Sequence, residues 1–291
     1  YKASCCPALR LLFHQQSFQD MKKTLLTVAV CLVLISAGGQ PLFVKDSLDS
    51  YVQRALTDWK IPGAVVCLVK DGKVALLKGY GVTEWNTSNK IDPATLFGIG
   101  SNTKAFTSTL LTLLDAENVL SLDDRVQKWL PAFRLYDPWV SKEASLRDLL
   151  CHRLGFETFQ GDFMFFDSDL TKEEVLQKYG RIKPEHSFRS RYGYNNAAFL
   201  AAGEAAAKAT GKSWGQLLQE RIFSPLGMHR TVSSDKDVAA ATNIAAAHTV
   251  VNGVVQKIDY GRLDNMAPAG NIYSSAEDMS RWLLMLLANG Q

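Results

Sequence analysis

Between Asp46 and Gly79 the chain commits to one supersecondary unit. Leu48, Tyr51, Val52, Ala55, Leu56 and Trp59 recur at helical spacing, which predicts an amphipathic helix over 46–60. Pro62-Gly63 stops it. The run from Ala64 to Lys70 is apolar and β-branched, Asp71-Gly72 is a hairpin turn, and Lys73 to Gly79 returns. Two strands alone do not hold together in water; they need further strands or a helix across one face. Helix followed by hairpin is therefore the opening of a layered fold that mixes both structure types.

Tyr80 to Thr95 is polar with turn character, and beyond it the pattern becomes mostly helical. Ser121-Leu-Asp-Asp124 begins a short element before Pro131, and Ser145 to His152 reads as one or two helical turns. Thr171-x-x-Glu174 and Ser213-x-x-Gln216 are capping boxes opening helices. Ala197 to Ala209 is an alanine-rich helix closed by Gly211, and Ser274-x-x-Glu277 is expected to cap a last helix ending at Asn289-Gly290. No repeat or low-complexity tract interrupts this order. The helical part reads as an insertion between two portions of the layered part.

One stretch carries chemistry. In Phe97-Gly98-Ile99-Gly100-Ser101-Asn102-Thr103-Lys104 a glycine-flanked serine is followed one turn later by a lysine, and the apolar run Leu110, Leu111, Leu113, Leu114 follows. Residues three apart on a helix are neighbours on one face, so the Ser101 hydroxyl and the Lys104 ammonium project together. A serine hydroxyl attacks only when something takes its proton or stabilises its anion, and a lysine can contribute to both. Neither rival motif fits. A phosphate loop needs Gly-Lys-Ser/Thr, whereas Thr103 precedes Lys104 and Ala105 follows it; a Gly-x-Ser-x-Gly elbow needs glycine where Ile99 and Thr103 stand. The second Ser-x-x-Lys match, Ser233 to Lys236, lies in a polar stretch without an apolar run and reads as chance.

Charge and cysteines bound the rest. Met21-Lys22-Lys23 opens an apolar core, Leu25 to Ile35, that ends in Ser36-Ala37-Gly38-Gly39; this is the pattern of a secretory signal peptide. The core falls short of the roughly 20 residues a spanning helix needs. Residues 1–20 are read as an upstream extension, 21–39 as the leader and 40–291 as one domain, exported to a secreted or periplasmic location. The net charge of +3 resides in residues 1–39, through Lys2, Arg10, Lys22 and Lys23 against Asp20. The balanced remainder points to no nucleic acid and no anionic membrane surface as partner. Of five cysteines only Cys67 and Cys151 lie beyond the leader, so one bridge at most could form, which spacing alone does not decide. His186, His229 and His248 have no ligand spacing, and neither a metal nor a cofactor is expected. Phe156, Phe159, Phe163, Phe165 and Phe166 read as core or the lip of a pocket.

The second constellation is Arg191-Tyr192-Gly193-Tyr194-Asn195-Asn196, at the start of the alanine-rich helix. A phenol has a pKa of about 10, so Tyr194 works as a base near neutrality only if a cation such as Lys104 holds it ionised. Together these residues resemble the class C β-lactamase and penicillin-binding-protein-like serine hydrolases, a group that includes D-alanyl carboxypeptidases, D-aminopeptidases and family VIII carboxylesterases. The resemblance runs from about residue 45 onward. It rests on Pro62-Gly63, Gly100-Ser101-x-x-Lys104, Leu120-Ser-Leu-Asp-Asp124, Leu149-Leu-Cys-His-Arg-Leu-Gly155, Tyr194-x-Asn196, Gly211-Lys-Ser-Trp214, Ile222-Phe-Ser-Pro-Leu-Gly-Met228 and Pro268-Ala-Gly-Asn271.

The resemblance implies an α+β fold of the β-lactamase/transpeptidase type, an antiparallel sheet layer flanked by helices with a mainly helical insertion over about 101–230. It also implies an acyl-enzyme on Ser101, with Lys104 and Tyr194 sharing the proton traffic and Asn196 bonding Lys104 or the substrate amide. The substrate would be a small molecule or peptide with an amide or ester bond: a β-lactam, a D-amino-acid peptide or a small ester. His152 falls in a landmark that is structural. The group's third motif, Lys/His-x-Gly on a central strand, is not found after Met228, so the C-terminal central strands are expected to be missing and residues 40–291 to be an incomplete copy of the domain. Asn271 also stands where a second glycine is usual. The alternative is a non-catalytic binding or assembly protein of the same fold.

Overall fold

The computed structural model describes residues 42–162 and 165–290; the expected extension, the leader and Phe163 lie outside them. The chain divides at Arg54/Ala55 into two compact units. In the first, a short helix Leu42–Asp46 precedes α1, Leu48–Asp58, and Phe43 packs edge-on against Tyr51 with centroids 6.1 Å apart. Helix α1 ends at Asp58, and Lys60, at a φ of 54°, turns the chain toward Pro62.

The second unit opens with the expected hairpin. Strands β1, Gly63–Lys70, and β2, Lys73–Gly81, pair antiparallel from Gly63↔Gly81 to Lys70↔Lys73, with an irregularity between Leu68 and Val69. Asp71 and Gly72 both take positive φ, 51° and 69°, as a tight hairpin turn requires. The described strands form three separate pairs rather than one continuous layer. Strand β3, Leu96–Gly98, pairs with β6, Tyr273–Ser275, and β4, Ala247–Val251, with β5, Val254–Ile258. The hairpin finds its cover in α7, Ala276–Leu287, which packs on β1 and β2. That helix starts one residue later than expected. Ser275, not Ser274, accepts the hydrogen bond from Asp278 N–H, because β6 continues through Ser275 and Ser274 is engaged with Thr231 at 2.8 Å.

Two long helices hold the core. Helix α2, Thr103–Ala116, buries Phe106, Leu110, Leu111 and Leu114, and Phe106 stacks on Trp282 of α7 at 4.0 Å. Helix α5, Asn196–Thr210, is buried at Ala197, Ala198, Phe199, Leu200, Ala201, Ala202, Ala205 and Ala206, and ends at Gly211 in the left-handed conformation. Small side chains let several helices approach its axis at once. They include α3, Leu146–Leu150; α4, Lys172–Tyr179; α6, Trp214–Leu218; and the turn Ala267–Gly270. At Gly203 the approach leaves no room for a Cβ, which would lie 2.4 Å from Pro268 Cγ. The capping boxes at Thr171 and Ser213 form as expected, and a third, Ser145 with Asp148, opens α3. Of the aromatic cluster, Phe156 and Phe165 are core, whereas Phe159 and Phe166 are exposed. Cys67 and Cys151 are free thiols.

The loop that delivers residues 186–195 is sewn to residues 152–155. His186 N–H bonds Gly155 O, Arg189 N–H bonds Arg153 O and Gly193 N–H bonds His152 O. Arg189 grips Asp148 with two hydrogen bonds, 2.8 and 2.6 Å, while Ser145 N–H and Oγ–H reach the same carboxylate. Burial opposes ionisation of Asp148, but the bonds from Arg189 and Ser145 outweigh it and hold the carboxyl below its usual range. Below the loop lies His152. Its ring stacks on Tyr194 at 4.7 Å, and its Nδ1 accepts the Asn195 N–H at 3.0 Å. Burial, helped by the charge of Lys104, lowers its pKa from 6.5 to about 4.

Two stability predictions follow from this loop. Asp148→Ala removes the acceptor shared by Arg189 and the α3 cap; because the Arg189 side chain stays partly hydrated, the cost should be about 1–2 kcal/mol, read from the urea midpoint. His152 titrates lower folded than unfolded, so the unfolded chain binds the extra proton first as pH falls from about 6.5 toward 4. Stability should therefore drop through that window. His152→Gln keeps an acceptor for Asn195 but cannot titrate, so its melting temperature should approach that of the native protein on acidification.

Candidate active site

Strand β3 delivers the serine. It ends at Gly98, and Ile99 N–H bonds Ile272 O at 2.9 Å; Gly100 then turns at φ 52° into a single 3-10 turn, Gly100–Asn102. Ser101 is exposed in this turn, and α2 begins immediately after, with Lys104 buried to 7 % exposure. The expected one-face arrangement is present: Lys104 Nζ lies 3.3 Å from Ser101 Oγ.

A buried lysine has to satisfy its donors, and three chain segments meet to do so. Nζ donates to Asn196 Oδ1 at 2.6 Å and to Ala269 O at 2.7 Å, besides Ser101. The segment carrying Ala269 is fixed by α2 itself, since Thr107 Oγ–H bonds Pro268 O at 2.8 Å and Ile272 N–H bonds Thr103 Oγ1 at 3.2 Å. The rings of Tyr194 and Phe199 face the ammonium at 4.7 and 5.4 Å. Burial lowers the Lys104 pKa to about 8, with the negative charge of Asp162 opposing the fall.

Tyr194 completes the cluster. Its hydroxyl donates to Ser101 Oγ at 2.5 Å. Gly193 beside it has no room for a side chain, because a Cβ would fall 1.7 Å from Phe156 O. The surroundings of this phenol favour its protonated form. Burial raises the Tyr194 pKa, Asp162 and Tyr192 raise it further, and the bond to Ser101 does not compensate. Burial thus favours the neutral form of both groups, the phenol of Tyr194 and the free amine of Lys104.

Asn196 takes its place as the first residue of α5, capped by Asn195, whose Oδ1 accepts the Ala198 N–H. Asn196 N–H and Nδ2–H both donate to the carboxylate of Asp162, at 3.1–3.2 and 2.9 Å. Asp162 is 4 % exposed, and sequence reasoning missed it. The available signal was indirect: the first turn of this 15-residue helix contains no acidic residue. A helix start with unpaired N–H groups favours an anion supplied from elsewhere.

Ser101, Lys104, Tyr194 and Asn196 thus come together, whereas Ser233 and Lys236 do not join them. Ser234 caps a short helix, Asp235–Ala240, through a bond from Asp237 N–H. Asn271 is fully buried and donates to Asp235 and Asp264 at 2.7 and 3.0 Å. Among the described residues no group of three or more His, Cys, Asp or Glu converges to hold a metal, and no helix is long and apolar enough to cross a membrane.

Known proteins share this framework. Unguisins hydrolase ungD' of Aspergillus campestris is 30% identical over 262 residues, covering 86% of this chain and 48% of its own length. Gigasin-6 of Magallana gigas is 27% identical over 271 residues, covering 90% of this chain and 88% of its own. The octameric penicillin-binding protein homologue from Pyrococcus abyssi superposes with a TM-score of 0.70 and 26% identity, covering 84% of this chain and 56% of that one. The chain thus spans about half the length of the fungal hydrolase. The family pattern described as Beta-lactamase matches residues 48–291, and with the shared fold this places the chain in the beta-lactamase family of penicillin-binding-protein-like serine hydrolases.

Proposed function

We propose that this protein forms an acyl-enzyme on Ser101 and cleaves an amide or ester bond. One observation carries the reading: Lys104 Nζ and Tyr194 OH converge on the Ser101 hydroxyl, at 3.3 and 2.5 Å, from separate segments of the chain. With its pKa near 8, Lys104 is readily available as a free amine. Such an amine keeps two N–H donors for Asn196 Oδ1 and Ala269 O, and its lone pair is left for the Ser101 proton. Lys104 is then the base for attack. Tyr194, still a phenol, donates its proton to the departing amine or alkoxide and recovers one from the Lys104 ammonium. Water repeats the sequence in reverse to release the acid and free Ser101. The Ser101 N–H, in the opening turn where a helix leaves its donors unpaired, would steady the oxyanion.

The hydrolase name of the fungal relative favours turnover over a binding role on the same fold. β-Lactam, D-amino-acid peptide and small ester all fit this chemistry as substrate classes. The leader pattern agrees with work in a secreted or periplasmic setting.

Labelling with a fluorophosphonate and with a fluorescent penicillin tests the reading. Label should appear on Ser101 by intact mass and peptide mapping, be absent in Ser101→Ala and persist in Ser233→Ala. The rate should rise with pH and reach half its maximum near pH 8, since the free amine of Lys104 is the active form. Tyr194→Phe should slow turnover by about 10²- to 10⁴-fold. Lys104→Ala should cost at least as much, and the double variant little more than either alone. Labelling that survives Ser101→Ala would overturn the assignment.

A further inference from the structure

Asp162 is buried, comes from a loop remote in sequence from both Ser101 and Tyr194, and has no part in the proton transfers above. The geometry points to Asp162 as the positioning residue that fixes which way the Asn196 amide faces, and so directs the Lys104 amine at Ser101. This rests on the reading of Lys104 as the base.

The argument is one of donors and acceptors. The two ends of an asparagine amide have nearly the same shape but opposite hydrogen-bonding character. Burial raises the Asp162 pKa, while the bonds from Asn196 and Ala197 and the charge of Lys104 favour the carboxylate, which only accepts. Asp162 receives Asn196 N–H at 3.2 and 3.1 Å on its two oxygens, and Asn196 Nδ2–H at 2.9 Å on Oδ2; the Ala197 N–H adds a further bond. The NH₂ end must therefore turn to Asp162, which leaves Oδ1 to receive Lys104 Nζ at 2.6 Å. With Ala269 O, that acceptor takes both N–H donors of the neutral amine and leaves its lone pair for Ser101 Oγ. In the flipped amide, Nδ2–H would compete for the lone pair and draw it from the serine. Asp162 also adds a negative charge close to Lys104, opposing the effect of burial on the ammonium. The other titratable groups facing Lys104 are Tyr194, a phenol with raised pKa, and His152, whose pKa of about 4 keeps it neutral.

Asp162→Asn tests this because it keeps the shape and removes one of the two acceptors. The protein should stay folded by circular dichroism. Its labelling rate at high pH should fall by about 100-fold, as for a misplaced catalytic group. The Lys104 titration, followed by NMR of lysine labelled at Nζ and assigned with Lys104→Arg, should move down by roughly one unit. Asp162→Asn/Asn196→Asp exchanges donor and acceptor ends, which should restore much of the labelling. Its pH midpoint should rise, because the new carboxylate sits beside Lys104. A single variant that labels and titrates like the native protein overturns the assignment. So does a folded double variant that recovers nothing. If the native protein itself takes no label at Ser101, the proposed hydrolase activity fails, while the lysine titration still decides the role of Asp162.

Discussion

The constraint on which the rest of the site depends is the burial of Lys104. An ammonium removed from water is costly unless each donor meets an acceptor. Here the acceptors come from three places far apart in the chain: Ser101 one turn away, Asn196 at the head of α5, and the Ala269 carbonyl before β6. Placing one side chain therefore registers three segments against one another. The same burial that demands those partners also makes the lysine easy to deprotonate, so packing and chemical competence have one origin.

Precision in that placement comes from close backbone approach. The alanines of α5 and the absence of a side chain at Gly203 let Pro268 and its neighbours lie against the helix. Thr103 and Thr107 of α2 then bind the far side of the same segment. On the opposite flank, Asp148, Arg189 and His152 hold the loop that carries Tyr194, and Gly193 lets it pass against Phe156. The hydroxyl of Tyr194 and the amine of Lys104 thus approach Ser101 from two independently braced directions. Such bracing keeps an exposed serine in one geometry without burying it.

Much was legible in the chain itself. Helical and strand periodicity placed α1, the β1–β2 hairpin, α2 and α5, because side-chain spacing on a regular backbone repeats in the residue order. The three-residue step from Ser101 to Lys104 brought them together for the same local reason. Capping chemistry found the starts at Thr171 and Ser213, yet put the last helix one residue early, since strand pairing of β6 competes for the same serines. The family landmarks carried Tyr194 and Asn196, which periodicity alone did not connect to Ser101.

What the tertiary structure decided was electrostatic. The residue identities suggested a lysine that would ionise a tyrosine. Burial of both weighs the other way, because desolvation disfavours the charged form of each: it raises the pKa of the phenol and lowers that of the lysine. Asp162 escaped notice because no spacing rule links a loop aspartate to a helix start more than 30 residues on; only the folded chain places that carboxylate against Asn196 N–H. The pairing of strands into separate two-stranded units, with β3 joined to the distant β6 and α7 as cover for β1 and β2, was likewise a matter of which distant surfaces meet. Local periodicity and motif order are written along the chain. Desolvation and long-range acceptors depend on what surrounds a group after folding, and the order of residues does not contain that directly.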